Sequence, residues 1–398
     1  MPELSHRGTA MPASPIRKLA PLAAKAAERG LYVYRLNIGQ PDLPTPPQAL
    51  EALHAIDLKV LEYSASEGIP QLRAKMAEYY HRHNINVTPE DIIVTTGGSE
   101  AVMFAFMATL DPGDEVIIPE PAYANYKAFA LQGGAKIVSV PSSIDNGFRL
   151  PHVEEFERLI TPCTKGICIC SPNNPTGYIY TADEMLKLRD LVKRYNLFLY
   201  SDEVYREFCY SDHRPMSALS LEGIDDNVIV IDSVSKRYNE CGIRIGTLVT
   251  RNRQLYANIM KFAQARLSPP LIGQLVALAS IDVPQTYIDN AIDEYRRRRD
   301  FLVNGLNDIP GVFSPMPEGA FYTMARLPVE SAEDFCRWCL TDFSYNGTTV
   351  FMAPGEGFYT TPGLGRDEVR IAYVHHIEEL AGALDCLRAA LETYNNRK

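Results

Sequence analysis

The stretch Val228-Ile-Val-Ile-Asp232-Ser-Val-Ser-Lys236 decides how this sequence is interpreted. Its first part is a short apolar run rich in β-branched residues, which favours a buried strand. Its second part is polar and ends on a lysine, and the end of a strand is where α/β folds place their ligand-binding groups. The stretch therefore predicts an α/β sheet that presents Lys236 at its functional edge.

Similar short apolar runs recur along the chain and alternate with segments of helical period. This rhythm indicates βαβ units that form a mainly parallel sheet with helices on both faces. Seven strands are predicted, at residues 92–95, 115–118, 136–140, 166–170, 198–201, 228–232 and 246–249. After a long helical pattern over residues 284–307 the rhythm changes, which indicates a second, smaller domain of α+β character.

Three regions follow from this organisation. Residues 1–47 form an N-terminal arm and part of the small domain, residues 48–295 form the large domain, and residues 296–398 form the small C-terminal domain. The Pro- and Gly-rich run at residues 38–47 indicates an extended arm rather than a layer of the sheet. Four consecutive arginines at residues 296–299 point in different directions around their helix, which predicts a solvated, salt-bridged helix.

Composition and charge argue against several classes of protein. The chain has 398 residues and a formal net charge of −10, which opposes a generic nucleic-acid binder. No apolar stretch approaches the roughly 20 residues needed to cross a bilayer, and residues 1–10 are too polar for a signal-peptide core, so no membrane partner and a cytoplasmic location are expected. The eight cysteines are expected to be reduced, and Cys336-Arg-Trp-Cys339 lacks the second pair that a metal site needs.

Lys236 is followed by Arg-Tyr-Asn-Glu-Cys-Gly242-Ile-Arg244-Ile-Gly246. A lysine at a strand end with another cation nearby is favoured in its neutral form and can attack an aldehyde as an amine nucleophile. A solvated surface lysine is the alternative when Lys236 is considered alone.

A second stretch, Thr95-Thr-Gly-Gly98-Ser99-Glu100, predicts an anion site. A strand, two glycines and the start of a helix leave backbone N–H groups free to bind an anion, and Gly98, Ser99 and Glu100 would supply them. Neither the dinucleotide pattern G-x-G-x-x-G nor the P-loop pattern G-x-x-x-x-G-K-S/T occurs here, so a single phosphate is expected.

The order S-x-S-K followed by G-x-R-x-G resembles the cofactor-lysine signature of the fold-type I aminotransferases of class I and II. The resemblance extends from about residue 16 to about residue 373. It implies that the large domain binds pyridoxal 5′-phosphate and that Lys236 carries the cofactor.

The resemblance also assigns the other cofactor residues. Asp202, in Asp202-Glu-Val-Tyr205, pairs with the pyridine nitrogen so that the ring can accept electrons. The remaining implied contacts are Tyr205 and Asn174 to the ring oxygen, Tyr123 stacked on the ring, and Ser233 and Arg244 on the phosphate. Taken singly, Asn174 could be a plain turn residue and Tyr123 a core tyrosine.

Substrate binding is implied at Arg370, which resembles the arginine that binds the α-carboxylate of the amino acid. A bidentate pair is the reason for an arginine there. Gly39 matches an arm glycine whose backbone meets the same carboxylate, with Tyr123 and Asn174 close by. Tyr63 matches a tyrosine that reaches the phosphate of the neighbouring subunit, which implies a homodimer with shared active sites.

The segment after Lys236 departs from the commonest pattern of the family and is similar to a subset of aspartate-specific members. A dicarboxylic substrate needs a second cation for its distal carboxylate. Arg266 is the first candidate and Arg237 the second; structural salt bridges are the alternative for both.

The expected reaction is a ping-pong transamination from an L-amino acid, aspartate, to a 2-oxo acid, 2-oxoglutarate. Alternatives within the fold are an aminotransferase of broader, aromatic or aliphatic specificity, a C–S lyase, or a decarboxylase. A noncatalytic alternative is the aminotransferase-like regulatory part of a transcription factor, but the net charge is −10 and no preceding DNA-binding domain is expected.

Overall fold

The computed structural model describes residues 2–397, which contain three β-sheets and the helices that cover them. The α-helices are α1 (His6–Ala10), α2 (Ala20–Glu28), α3 (Pro47–His54), α4 (Pro70–Arg82), α5 (Gly97–Thr109), α6 (Tyr126–Gly133), α7 (Val153–Leu159), α8 (Ala182–Tyr195), α9 (Val234–Arg237), α10 (Arg253–Ala265), α11 (Leu271–Ser280), α12 (Gln285–Asn307), α13 (Ala332–Thr341) and α14 (Ile377–Asn395). The strands are β1 (Tyr32–Arg35), β2 (Ile92–Thr95), β3 (Glu115–Glu120), β4 (Lys136–Pro141), β5 (Thr164–Cys170), β6 (Phe198–Asp202), β7 (Val228–Ser233), β8 (Gly246–Val249), β9 (Tyr322–Arg326), β10 (Thr348–Phe351), β11 (Ala353–Pro354) and β12 (Glu368–Ala372). Short 3-10 turns lie at Pro89–Asp91, Ile144–Asn146, Ala218–Ser220, Cys241–Ile243 and Gly355–Phe358.

The largest sheet has seven strands in the order β2-β8-β7-β6-β5-β3-β4. All neighbouring strands are parallel except the two pairs that β8 makes, which are antiparallel. The predicted fold class, a mainly parallel seven-stranded α/β sheet, is confirmed, and each predicted strand lies within an observed one. The antiparallel direction of β8 is a feature that the apolar runs alone did not indicate.

Helices cover the large sheet on both faces, as the apolar strands require. Successive side chains of a strand point to opposite faces, and β2 shows this. Ile92 and Val94 belong to the same apolar cluster as Met185 of α8. Ile93 belongs instead to the cluster that contains Ala101 of α5. A strand buried on both faces has no polar side, which explains why these strands appear in the sequence as continuous apolar runs.

Two smaller sheets contain the remaining strands. Strand β1 pairs in parallel with β10, and β11, β12 and β9 form an antiparallel three-stranded sheet. Both sheets draw on the chain beyond α12, which also provides α13 and α14. The mixed α+β character of this part agrees with the change of rhythm in the sequence. The domain limits 1–47, 48–295 and 296–398 stay predictions.

One edge of the large sheet collects chain segments from several strands. The carboxyl ends of β2, β5, β6 and β7 meet there because these strands run in the same direction. Strand β8 runs the opposite way, so the residues just before Gly246 lie at this edge as well. The reversal of β8 thus brings Arg244 to the same edge as Lys236, although each flanks a different strand.

The arginines of α12 differ more than their consecutive positions predict. Arg298 is 0% exposed, and its guanidinium lies 2.7 Å from Asp42 of the arm and 2.8 Å from Glu294. It also donates to the carbonyl of Val374 in the chain that leads to α14. The predicted salt bridges form, but the predicted solvated position is wrong for Arg298, because Asp42 of the distant arm and Glu294 of the same helix supply the carboxylates that make its burial possible.

Among residues 2–397, no single helix is long and apolar enough to cross a membrane. Helices α11 and α12 taken together have the length and apolar composition of a membrane span, but the chain bends by 91° between them. The same residues contain no group of three or more His, Cys, Asp or Glu side chains placed to hold a metal ion.

Replacing Arg298 by methionine should lower the free energy of unfolding by about 3 kcal/mol, since Asp42 and Glu294 would lose their buried partner. Urea unfolding followed by circular dichroism measures this change. Arg297→Met is the matched control: the Arg297 side chain is 70% exposed, so its loss should change stability by no more than about 0.5 kcal/mol. Equal effects of the two substitutions would contradict the bridging role of Arg298.

Candidate active site

A cavity of about 710 Å³ opens at the edge of the sheet where the strand ends meet. Most of the residues predicted from the sequence line it: Gly39, Gly98, Ser99, Tyr123, Asn174, Asp202, Tyr205, Ser233, Lys236, Arg244 and Arg370. Glu100, Tyr63 and Arg266 are not among its lining residues. The cavity therefore brings together groups from the large sheet, the arm and strand β12.

Lys236 reaches the cavity from the short helix α9. The hydroxyl of Ser233 caps this helix by accepting a hydrogen bond from the backbone N–H of Ser235 at 3.1 Å. The Lys236 ammonium donates to the carbonyl of Gly39 at 3.0 Å, and its nitrogen lies 3.7 Å from the sulfur of Cys241. The lysine is thus held by the arm rather than by a carboxylate.

Arg237, the next residue, points away from the cavity. Its Nη2 lies 2.8 Å from both carboxylate oxygens of Asp232, and the guanidinium covers the ring of Tyr79. Arg206 binds the same Asp232 carboxylate at 3.2 Å. The hypothesis that Arg237 binds the distal carboxylate of a substrate is contradicted by this geometry, because the guanidinium is 2% exposed and already paired.

Asp202 ends strand β6 and is buried in the cavity wall. Its Oδ2 accepts a hydrogen bond from the Tyr126 hydroxyl at 2.7 Å, and its Oδ1 accepts one from the backbone N–H of Val204 at 3.3 Å. Burial raises the pKa of Asp202 to about 6, while the bonds from Tyr126 and Val204 lower it. A carboxylate in this setting is stabilised by a cationic partner such as a protonated ring nitrogen.

Tyr123 forms another part of the wall. Its ring meets that of Tyr126 edge to face with centroids 5.4 Å apart, and its hydroxyl accepts a hydrogen bond from Asn125 at 2.8 Å. Burial raises the pKa of Tyr123 to about 12, so the hydroxyl is neutral at pH 7. Tyr123 therefore offers a flat, uncharged aromatic face beside Asp202.

Arg370 lies opposite, on strand β12, and is 1% exposed. It donates to the side-chain oxygen of Asn174 at 3.0 Å and to the carbonyl of Asn37 at 2.6 Å. Its Nε has no hydrogen-bond partner among residues 2–397, and none of their carboxylates forms a salt bridge with it. Burial lowers its pKa. A buried guanidinium without an anion is costly, which indicates that an anionic ligand completes it.

Two tyrosines join these groups across the cavity. The hydroxyls of Tyr205 and Tyr322 are 3.0 Å apart, and Tyr322 also donates to the carbonyl of Gly39 at 3.2 Å. The Arg370 guanidinium lies over the Tyr322 ring, 4.4 Å from its centroid. A Cβ atom on Gly39 would collide with the Tyr322 hydroxyl. The site therefore needs glycine at position 39 for close packing of the arm.

The start of α5 and Arg244 form the other end of the cavity. A Cβ atom on Gly97 would overlap the Arg244 guanidinium, and Gly97 has a φ of 75° that favours glycine. The absence of a side chain therefore lets a cation lie against the first turn of a 13-residue helix, where Gly98 and Ser99 line the cavity. The backbone N–H groups of a first helical turn have no partner within the helix. This combination suits a phosphate group.

Glu100 and Arg266 are engaged with each other beside this helix start. The Glu100 carboxylate accepts hydrogen bonds from the backbone N–H of Thr96 at 2.8 Å and from Arg266 at 2.7 Å. Arg266 also donates to the carbonyl of Ser66 at 2.9 Å. Arg266 thus forms the structural salt bridge that was the alternative in the sequence, and this geometry does not bring it to the cavity.

Tyr63 also lies away from the cavity of its own chain. It is 80% exposed, on a segment in which Leu58, Val60 and Leu61 are exposed too. This position is compatible with a role of Tyr63 at the active site of a second copy of the chain, and that role stays a prediction.

The structure adds cavity residues that sequence reasoning missed. They include Arg17, Ser14, Gln40, Asn125, Ser235, Cys241 and Tyr322. Tyr322 follows Gly319-Ala-Phe and is the first residue of strand β9. Arg17 had no signal of its own, because it is one cation in a polar N-terminal segment without a motif.

The cavity fits the cofactor that the sequence implies. The Arg244 guanidinium and the start of α5 would hold its phosphate together with Ser233, and Asp202 would face its ring nitrogen. Lys236 provides the only lysine amine among the lining residues. Arg370 remains free to bind the carboxylate of a substrate because its buried Nε has no partner among residues 2–397.

Comparison with known proteins places the chain among aminotransferases. The family model described as aminotransferase class I and II matches residues 33–387. Aspartate aminotransferase of Rhizobium meliloti is 32% identical over 393 residues, which cover 95% of this chain and 93% of that protein.

Solved structures agree with this result. Aspartate aminotransferase from Thermus thermophilus with maleate superposes with a TM-score of 0.89 at 29% identity, covering 98% of this chain and 100% of that one. Alanine aminotransferase from Pyrococcus furiosus gives the same TM-score, identity and coverage. The fold is thus shared by an enzyme named for aspartate and an enzyme named for alanine.

Asp202→Asn should change how the stability of the cofactor-free protein depends on pH. The folded protein keeps a proton on Asp202 up to about pH 6, whereas the unfolded chain loses it near its ordinary pKa of 3.8. Stability therefore falls as pH rises through this window, by roughly 3 kcal/mol in total. The asparagine variant lacks this loss, so its stability relative to wild type should rise by roughly 2.5 kcal/mol between pH 4 and pH 7.

Urea unfolding of both proteins across this pH range measures the difference. Asp190→Asn is the control, because the Asp190 side chain is 59% exposed on α8. A difference between Asp202→Asn and wild type that stays constant with pH would show that the carboxyl is not perturbed by burial.

Proposed function

The chain belongs to the class I and II aminotransferases and is a pyridoxal-phosphate-dependent enzyme, and from this premise we propose that it transfers the amino group of L-aspartate to 2-oxoglutarate by a ping-pong sequence. The observation that carries the proposal is the buried Arg370, which lacks an anion and faces the same cavity as Lys236 and Asp202. An α-amino acid supplies both the carboxylate for Arg370 and the amino group for transfer.

Bound pyridoxal phosphate supplies an aldehyde carbon conjugated to a ring that accepts electrons. Lys236 is the amine placed to take the proton from the α-carbon of the substrate and to return it during transfer. Asp202 would hold the proton of the ring nitrogen, and a buried carboxylate does so strongly because water does not screen the pair. Arg370 orients the α-carbon by fixing the carboxylate attached to it.

Tyr205 and Asn174 would hold the ring oxygen of the cofactor. Asn174 also accepts a hydrogen bond from Arg370, so one amide connects the cofactor position with the substrate position. Tyr205 is tied to Tyr322, and Tyr322 to the arm at Gly39. These bonds support a site in which the substrate is gripped between the arm and the sheet edge.

The choice of aspartate is supported by the names of the relatives. The Rhizobium meliloti protein is an aspartate aminotransferase. The Thermus thermophilus structure contains maleate, a dicarboxylate. The Pyrococcus furiosus alanine aminotransferase supports the alternative of aliphatic or broader specificity.

A homodimer is part of the proposal. Leu58, Val60, Leu61 and Tyr63 are 47%, 66%, 66% and 80% exposed, and a run of large exposed apolar side chains indicates a surface that another protein covers. A second copy is the partner that gives this surface a function, because Tyr63 could then reach the phosphate held at Arg244 of the other subunit.

The substrate prediction is tested by mixing the holoenzyme with one amino acid and no acceptor. Aspartate and glutamate should each release their oxo acid in an amount equal to the number of sites, and should react faster than alanine or phenylalanine by about 100-fold. Release before an acceptor is added is the mark of a ping-pong sequence. Quenched-flow assay of the oxo acids measures both the amount and the rate.

Lys236→Ala should abolish this release and the visible absorption of the lysine-bound cofactor. Lys187→Ala, on the exposed face of α8, should leave both unchanged. If alanine or phenylalanine reacts faster than aspartate, aspartate is not the preferred donor. Release of a thiol would favour the lyase alternative, and release of carbon dioxide would favour the decarboxylase alternative.

Tyr63→Phe should weaken cofactor binding by about 10-fold, because it removes one hydrogen bond to a charged phosphate. Tyr345→Phe is the control, since Tyr345 is also exposed but lies next to β10. The cofactor affinity is measured by equilibrium titration of the cofactor-free dimers.

A heterodimer of a Lys236→Ala subunit and a Tyr63→Phe subunit distinguishes the two possible origins of this tyrosine. If Tyr63 comes from the partner, the site with Lys236 keeps a tyrosine and binds the cofactor with wild-type affinity. If that site instead shows the weakened affinity, Tyr63 does not act across the interface.

A further inference from the structure

Four cations line the cavity: Arg17, Lys236, Arg244 and Arg370. Three of them have a use in the proposed function, at the cofactor, its phosphate and the α-carboxylate of the substrate. Arg17 has none. It lies before residue 33, where the match to the family model begins, so membership of the family does not assign it a role.

The two cations that the sequence offered for a distal carboxylate are engaged elsewhere. Arg266 lies 2.7 Å from Glu100, and Arg237 lies 2.8 Å from Asp232. Moving either guanidinium into the cavity would leave a buried or half-buried carboxylate without its partner, which is costly. A dicarboxylic substrate therefore needs another cation.

The backbone around Arg17 is fixed on several sides. The side-chain amide of Asn37 donates to the carbonyl of Ile16 at 2.9 Å, and Ile16 packs against the apolar cluster that contains Phe358. Pro15 lies against Gly357, where a Cβ atom would collide with it. The position of Arg17 at the cavity is thus set by contacts of its neighbours.

Asn37 connects the segment around Arg17 with the α-carboxylate site at Arg370. Asn37 uses its side chain to hold Ile16 and its backbone carbonyl to accept from Arg370 at 2.6 Å. Arg370 lies in the buried part of the cavity and Arg17 is exposed. Asn37 therefore links the backbone next to Arg17 with the buried Arg370 guanidinium.

The Arg17 guanidinium is available for a ligand. Within residues 2–397 its side chain forms neither a hydrogen bond nor a salt bridge, whereas the adjacent Lys18 pairs with Glu333 at 2.5 Å. Its charge nevertheless acts on the cavity, because burial raises the pKa of Tyr123 while Arg370 and Arg17 lower it. The cation is thus close to the wall where the substrate would lie.

We propose that Arg17 binds the distal carboxylate of a dicarboxylic substrate whose α-carboxylate is held by Arg370. This assignment rests on the proposed aspartate aminotransferase function and names the residue that makes the site select a dicarboxylate. The planar guanidinium suits bidentate recognition of a carboxylate. Because the side chain is exposed without substrate, it is free to turn inward when the ligand binds.

The test measures binding of two unreactive ligands to the holoenzyme by calorimetry. Succinate has two carboxylates, and butyrate has the same carbon chain with one. Arg17→Gln should weaken succinate binding by about 10- to 100-fold, because a charge-assisted hydrogen bond is lost, and should leave butyrate binding unchanged. Arg17→Lys should fall between wild type and Arg17→Gln, since it keeps the charge without the fork.

Lys18→Gln is the matched control, because it removes the same charge from the neighbouring position without touching the cavity. It should bind both ligands as wild type does. Higher salt should weaken succinate binding in wild type more than in Arg17→Gln, since an exposed cation is screened by ions. Thermal unfolding of each variant checks that the fold is retained.

The outcomes separate the two levels of the proposal. If wild type prefers succinate but Arg17→Gln binds it equally well, Arg17 is not the ligand and the dicarboxylate function stands. If wild type binds butyrate as tightly as succinate, the aspartate proposal fails and the role of Arg17 fails with it. Equal weakening of both ligands would show that Arg17 supports the fold of the cavity and would overturn its role in selectivity.

Discussion

The buried ion pair between Asp232 and Arg237 is the constraint on which the site depends. Asp232 lies near the end of β7 and is 0% exposed, and Arg237 ends the short helix α9 that follows. Both oxygens of Asp232 lie 2.8 Å from Arg237 Nη2. Consecutive side chains of a helix point about 100° apart, so a fixed Arg237 leaves Lys236 directed into the cavity. The charge pair thus sets the orientation of the reactive lysine without touching it.

Buried arginines in this protein fall into two groups, and the difference separates structure from function. In the first group a carboxylate oxygen lies within 2.8 Å of the guanidinium, which makes burial tolerable; this group contains Arg206, Arg237 and Arg298. Arg370 is equally buried but has only amide and carbonyl oxygens as partners. Its missing anion is the strongest physical indication of a ligand, because evolution of a stable core alone would favour an apolar residue there.

The arm at residues 37–42 gives the cavity its second wall. Its backbone accepts hydrogen bonds at Gly39 from Lys236 and Tyr322, and at Asn37 from Arg370. Asp42, at the other end, pairs with Arg298 of α12. The arm has no regular secondary structure over these residues, so its carbonyl groups are free to accept from side chains. An extended segment is therefore what allows three side chains of the site to be held by the main chain.

Much of the fold and of the cofactor cradle could be predicted from the sequence, because both depend on local patterns. Apolar runs with turn residues between them determine strands buried on both faces, and short motifs at strand ends place Asp202 and Lys236 at one edge. The direction of β8, the burial of Arg298, the engagement of Arg266 with Glu100 and the approach of Arg17 to the cavity could not be predicted in this way. Each depends on which residues distant in sequence become neighbours, and a charge has no preferred partner until the tertiary structure brings one within reach.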